Sequence, residues 1–363
     1  MQRFGASFTS IVAVLAVVLT LSAPALAQQG SLPPPPIVAA KSPESVPDRL
    51  TLPLNRAGLK GVVGHWWYME RYGERLLDEY VALGVTNVRL AVDWRQIEET
   101  EGELNFDRLD PVMDGFQERG IEVVPVVATV PTWASLNAPD CEQNTLACQM
   151  DPEKVPQFEW TMRQLVARYP EVLRWEFWNE PEMWVSMRNP IEYERWYRAF
   201  YQAAKETNPN AVVAVSTLTG WDFFRQLSAD LPVDAVAVHP YAGDDWGLDT
   251  KKILRLREGL QGRGLDVPVW LTEYGWDSRW MDNLRRARTL RWVFNWVLSQ
   301  PYIELAHYHM LHDIEDDRDC CFGLVGRAPD FVPKQPAYDT FRSVLVEGWV
   351  PRPPVRASLA PRE

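Results

Sequence analysis

Along the middle of the chain, short apolar, β-branched runs alternate with longer stretches whose apolar residues recur every three or four positions. Eight runs read as strands, near residues 61–64, 87–92, 122–128, 173–178, 212–216, 235–238, 267–272 and 304–309. The stretches between them predict helices over 74–83, 108–119, 157–168, 191–207, 250–262 and 284–298, with a shorter one over 222–231. In the first of these Leu76, Leu77, Tyr80 and Val81 fall on one face. The strand runs are too continuously apolar for a sheet with one face in water, which predicts parallel strands covered on both sides. Eight β-then-α units over about 290 residues predict an α/β fold, a single-domain (β/α)8 TIM barrel. The alternative is an open doubly wound sheet, but no G-x-G-x-x-G follows any strand run.

Composition sets the ends of that domain. Residues 1–27 combine Arg3, an apolar stretch over 11–21 and Ala25-Leu26-Ala27, the small-x-small pattern of a signal peptide cleaved near Ala27. An uncleaved anchor is the alternative, although the stretch is short for a membrane span. Residues 28–53 form a Pro-rich linker with unbroken proline from Pro33 to Pro36. The catalytic-sized domain is expected over 54–350, and Pro351, Pro353, Pro354 and Pro361 mark residues 351–363 as a disordered tail. The expectation is a secreted or periplasmic monomer with no membrane contact after cleavage. A formal charge of −12 disfavours nucleic acid and anionic membranes as partners. Export permits disulfides, and Cys141, Cys148, Cys320 and Cys321 allow three pairings that sequence does not separate. A zinc site would need C-x-x-C spacing or nearby histidine ligands.

Chemistry gathers where the strands end, the face on which a barrel of this kind carries its active site. Strand 1 runs into His65-Trp66-Trp67-Tyr68; strand 2 carries Arg89 and ends in Asp93-Trp94. Strand 3 leads to Thr132-Trp133, strand 6 to His239-Pro240-Tyr241, and strand 8 to His309, His312 and Asp313. Strand 4 ends in Asn179-Glu180 and strand 7 in Glu273, each glutamate among aromatics and followed closely by Pro or Gly. Two carboxyl groups facing one gap can cleave a glycosidic bond, one protonating the leaving oxygen and the other attacking the sugar. The chain holds 17 tryptophans. Trp160, Trp196, Trp292 and Trp296 fall on helices and read as packing residues, whereas Trp66, Trp94, Trp133, Trp184, Trp221, Trp246, Trp276 and Trp280 follow strands, where some can stack on sugar rings. For Arg89 the alternative is a buried ion pair with Glu176, and for His239 a core histidine. The acidic stretches at Asp244-Asp245 and around Asp316 read as solvated loop charge, with calcium binding or a substrate bearing free amines as the rivals.

From Trp178-Asn179-Glu180-Pro181 and Thr272-Glu273-Tyr274-Gly275, the chain resembles the retaining glycoside hydrolases of the (β/α)8 clan with glutamates on strands 4 and 7. It is most similar to bacterial members of families 39 and 5, over residues 57–346. The resemblance implies Glu180 as acid/base, Glu273 as nucleophile, Arg89 as the clan's strand-2 arginine, and His239 and Tyr241 as strand-6 site residues. The clan often floors its sugar site with a strand-8 tryptophan; this strand reads Ala306-His307-Tyr308-His309-Met310, leaving Tyr308 or His309 in that place. Glu180 should then be protonated, with Trp178 and an ionised Glu273 raising its pKa, and Arg89 and Tyr241 should keep Glu273 ionised. Substrate contacts are expected from Arg89, Asn179, His239, Tyr241, His65, Trp66, Trp94, Trp133, Trp276 and His309. The function implied is a retaining glycosidase that cuts a poly- or oligosaccharide at internal β-linked bonds, with no cofactor and no metal. A catalytically inactive sugar-binding protein on the same scaffold and a transglycosidase are the alternatives.

Overall fold

The computed structural model describes residues 49–242, 248–315 and 320–350. The expected signal peptide, most of the Pro-rich linker, the tail, Asp244-Asp245, Asp316 and Trp246 lie outside the described residues. Eight strands form a closed parallel barrel: β1 (Gly61–Gly64), β2 (Asn87–Asp93), β3 (Glu122–Ala128), β4 (Arg174–Phe177), β5 (Val212–Thr217), β6 (Ala235–Val238), β7 (Val269–Tyr274) and β8 (Ile303–Tyr308). Pairing of Gly61 with His307 and Val62 with Tyr308 closes it. Every run read as a strand is one, so the (β/α)8 expectation holds and the open sheet does not.

Helices Asp110–Glu118, Val155–Arg168, Pro190–Thr207, Thr250–Gly262 and Asn283–Leu298 follow the predicted periodicity. Three elements differ. The first helix is Trp66–Leu83, not 74–83: it breaks at Gly73 (φ 35°, ψ −114°), and the turns before the break carry the aromatic cluster Trp66-Trp67-Tyr68. The segment over 222–231 is helical only at Trp221–Phe224. Leu50–Leu52, assigned to the linker by proline content, is a strand parallel to Val344–Val346. Leu52 is fully buried there, so apolar burial extends the folded region ahead of residue 54. Among the described residues no helix is long and apolar enough to cross a membrane.

Strand side chains alternate between bore and outer layer, and the bore is filled in tiers. At the strand N-termini Arg174 bonds Glu122 at 2.6 Å and Glu304 at 2.7 Å, and the Trp270 indole donates to Glu304 at 2.8 Å. Above them Val124, Ala214, Ala235, Ala237, Trp270 and Leu305 form a compact apolar cluster, in which three alanines make room for the indole. The uppermost tier is polar: Arg89, Glu176, Ser216, His239 and Thr272, all buried. A fully packed lower bore thus supports the polar tier from beneath.

Lys60 is a buried cation outside this tier. Its Nζ donates to the Val344 carbonyl, and burial lowers its pKa to about 7. Above pH 7 the unfolded chain holds this proton and the folded chain releases it, so this group's contribution to stability rises from pH 7 towards the unfolded value. Lys60→Met should therefore raise the melting temperature at pH 6 and lose most of that gain by pH 9, as calorimetry at the two pH values would show. An equal change at both would contradict a charge buried at cost.

Candidate active site

Arg89 organises the upper tier. It projects from the middle of β2, and its guanidinium is shared among three partners. Nε and Nη2 bond Glu176 at 2.6 and 3.2 Å, Nη1 bonds Glu273 at 2.7 Å, and Nη2 also bonds the Asn179 side-chain oxygen at 2.8 Å. Glu176 in turn accepts from the Ser216 and Thr272 hydroxyls, each at 3.1 Å. The ion pair with Glu176 and the contact with Glu273 thus coexist in one residue. Burial opposes the charge on Arg89, but the Glu176 and Glu273 carboxylates outweigh it and hold the guanidinium charged.

Glu273 also accepts from the Tyr241 hydroxyl at 2.8 Å, with His239 Nδ1 and His309 Nδ1 each 3.6 Å away. Burial alone would push its carboxyl up; His239, His309, Arg89 and Tyr241 together hold it well below the usual carboxylate range. Opposite it, Glu180 is 2.8 Å from His239 Nδ1. Burial lowers the His239 pKa, but the Glu273 charge and the Glu180 hydrogen bond carry the net direction upward. One oxygen of Glu180, one of Glu273 and a ring nitrogen of His239 all lie within 4.8 Å of one another. These three atoms are candidate cation ligands by distance. A cation there would sit beside the Arg89 guanidinium and break the His239–Glu180 hydrogen bond, so the set suits proton handling better.

The backbone bends sharply to present these groups. Thr129 (φ 66°), Trp178 (φ 71°) and Glu180 (φ 44°) are non-glycine residues in the left-handed region, each costing roughly 1–3 kcal/mol. All three follow the ends of β3 and β4. After β7, a β-carbon at Gly275 would stand 2.0 Å from the His309 carbonyl oxygen, so only glycine lets the two strand ends meet.

The family profile described as cellulase (glycosyl hydrolase family 5) matches residues 51–305. The chain belongs to that family. It is a glycoside hydrolase by this membership. No curated protein matches the sequence. Solved structures with the same fold include a family 39 glycoside hydrolase from Bacteroides cellulosilyticus WH2 (19% identity, TM-score 0.59), which covers 82% of this chain and 66% of that one. An exo-β-1,4-mannosidase from Opitutaceae bacterium strain TAV5 (18%, 0.60) covers 78% and 58%. A family 1 β-glucosidase from Exiguobacterium antarcticum B7 (16%, 0.58) covers 76% and 86%. The chain therefore spans less than two thirds of the first two relatives' own length.

In this family 5 hydrolase a cavity of about 660 Å³ covers the two glutamates. Of the sequence-predicted residues, Arg89, Asn179, Glu180, Tyr241, Glu273, His65, Trp276 and His309 line it, and His239 touches Glu180 from below. Four of the tryptophans expected after strands do not line it. Trp94 is fully buried among Trp133, Phe158 and Trp196, with its indole bonded to Glu98 at 2.7 Å. Asp93 faces the bore, so strand alternation turns Trp94 outward. Trp133 donates to the Glu98 carbonyl at 3.0 Å and is covered by Lys154. Trp66 donates to Asp93 at 3.3 Å, and Arg108 lies 4.5 Å over its ring. Trp221 packs on the Thr250–Gly262 helix near Gly259. The aromatic wall is Trp67, Trp184, Trp276, Trp280 and Phe322, of which Trp184, Trp276 and Trp280 are among the eight tryptophans expected after strands. Trp67 and Trp280 form its open rim, being 43% and 74% exposed. Tyr308 is buried against Arg286, so His309 is the strand-8 residue that faces the site.

Phe322, which sequence reasoning passed over, follows the Cys320–Cys321 bridge directly. The other pair is Cys141–Cys148, which settles the three-way choice. The turn is held by the Cys321 carbonyl, accepting from Ser278 N at 2.9 Å, and by Arg286 Nη2, donating to the Phe322 and Gly323 carbonyls at 2.7 Å each. The Phe322 ring centre stands 5.4 Å from that of His309. All five histidines of the chain belong to the bore or its mouth: His65, His239, His307, His309 and His312. Burial, then the neighbouring His312 and His309, holds His65 well below the ordinary imidazole range.

Proposed function

We propose that this family 5 hydrolase cleaves β-linked hexopyranose chains with retention, using Glu180 as acid/base and Glu273 as nucleophile. The observation that carries the reading is the approach of the two carboxylates to within 4.8 Å. Retaining pairs stand about 5–5.5 Å apart, and inverting pairs, which admit a water, about 6.5–9.5 Å. In the first step a Glu273 oxygen attacks the anomeric carbon, the glycosidic C–O bond breaks, and Glu180 gives its proton to the departing oxygen. In the second, water adds to the anomeric carbon, Glu180 takes its proton, and the ester to Glu273 breaks. The charged partners around Glu273 suit it to attack, and His239 beside Glu180 can stabilise the ionised form reached after proton donation. Because the Asn179 side-chain oxygen is taken by Arg89, its amide N–H groups are left to bond the sugar 2-hydroxyl.

A β-linked substrate is supported by the descriptions of the relatives, a β-glucosidase and an exo-β-1,4-mannosidase among them. Export is part of the same reading, supported by two disulfides that an oxidising compartment maintains. The test is digestion of a panel of β-glucans, β-mannans and β-xylans, with products read by mass and the first-formed anomer by proton NMR. The β anomer is expected. An initial α anomer would show inversion, and products longer than the substrate would show sugar transfer in place of hydrolysis.

A further inference from the structure

Glu180 and His239 stand at the ends of β4 and β6, and β5 lies between those strands. None of residues 217–220, where β5 ends, lines the central cavity. The loop is nevertheless tied to both neighbours. Glu182, two residues past Glu180, turns its carboxylate onto the loop and accepts from four donors. They are the Thr217 hydroxyl at 2.8 Å, Leu218 N at 2.9 Å, Thr219 N at 2.9 Å and the Thr219 hydroxyl at 2.8 Å. A carboxylate has acceptor sites enough for all four. From the other side Lys252, on the Thr250–Gly262 helix, donates to the Leu218 carbonyl and to the His239 carbonyl, each at 3.2 Å. Leu218 is thus held through its N–H by Glu182 and through its carbonyl by Lys252. Gly220 closes the loop, its N–H donating to the Thr217 hydroxyl at 2.9 Å.

The residue that this brace serves is strained. Glu180 lies in the left-handed region at φ 44°, a conformation that persists only where the surroundings impose it. Met183 N donates to the Glu180 carbonyl at 2.9 Å, and the Trp184 indole to the Asn179 carbonyl at 2.8 Å. Those bonds fold the turn on itself, whereas Glu182 fixes the turn to the barrel. The brace therefore joins the two strand ends whose side chains, Glu180 and His239, meet at 2.8 Å. Glu273, on β7, is held by Arg89 and Tyr241 instead.

We infer that Glu182 and Lys252 are positioning residues for the acid/base, bracing the loop after β5 so that Glu180 is set against His239 for proton donation. The inference rests on the role proposed for Glu180 above. The probes are the phenyl and 2,4-dinitrophenyl β-glycosides of cellobiose and mannobiose. Phenol needs a proton to depart and 2,4-dinitrophenolate does not, so the pair isolates the acid's contribution to kcat/KM. Glu180→Ala is the reference and should lose far more on the phenyl glycoside than on the dinitrophenyl one. Glu182→Gln puts an amide N–H against a backbone N–H, and Lys252→Met removes the link to His239. Each should lower kcat/KM for the phenyl glycoside about tenfold or more and leave the dinitrophenyl glycoside within about threefold. Thr219→Ala, an exposed change that removes a single bond to Glu182, should show the same bias at about threefold, and it decides the matter if the other two variants melt before assay. General damage to the fold would depress both substrates alike. Equal losses on the two leaving groups, or no loss on either, alongside a biased Glu180→Ala, would overturn the inference while the hydrolase reading stands. A Glu180→Ala without bias would take the acid's role from Glu180, and a wild type that cleaves none of the four glycosides would defeat the β-hexopyranose reading; the inference falls with either.

Discussion

Glu273→Ala is expected to lower kcat on the order of 10⁵-fold on whichever glycan of the panel is cleaved, because it removes the carboxylate proposed to attack the anomeric carbon. Azide at high concentration should restore part of the rate by entering the space left by the side chain. It would yield an α-glycosyl azide, opposite in configuration to the β-linked substrate. The variant should stay folded, since Arg89 keeps Glu176 and Asn179 as partners. A loss below tenfold would remove Glu273 from the nucleophile's role. Full loss without azide recovery in a folded protein, alongside an initial α product from the wild type, would reassign it as the base of an inverting enzyme.

Arg89→Met should cost about 3–5 kcal/mol of stability, read by urea denaturation. Glu176 is fully buried, and the substitution leaves it with only the Ser216 and Thr272 hydroxyls. An unpaired carboxylate there must either protonate or remain charged at cost. Glu176→Gln in the same chain removes that charge, so the double variant should be more stable than Arg89→Met alone. Additive losses across the cycle would mean that the pair is not coupled. Arg89→Lys should fall between, since an ammonium group cannot span Glu176, Glu273 and Asn179 with the fixed fork of a guanidinium.

The barrel was legible because its evidence is redundant: eight apolar runs, eight helical or connecting segments and a polar end to nearly every run agree with one another. The central residues were legible because Asn179-Glu180 and Glu273 sit in informative contexts. The aromatic wall was less so. Trp94 follows β2 as plainly as Trp276 follows β7, and only the parity of Asp93 in the strand says that Trp94 must turn outward. Parity fails in its turn on β7. Trp270 and Thr272 face the bore, but the register between Leu271 and Tyr274 is irregular against β8, and Glu273 reaches the site out of phase. Left-handed backbone at Trp178 and Glu180 likewise redirects the end of β4 in a way that no apolar pattern encodes. Phe322 escaped notice because it lies 14 residues beyond Tyr308 and reaches the site only through a loop that folds back. Its one local signal was the adjacent cysteine pair.

The placement of all five histidines in and around the bore has a practical consequence for spectroscopy. With no imidazole on the outer surface, selective labelling of the histidine ring nitrogens would give five pairs of resonances, each a reporter positioned inside or beside the reaction chamber. Occupancy, protonation and covalent trapping could then be followed one nucleus at a time in an otherwise silent protein, without installing a single foreign label.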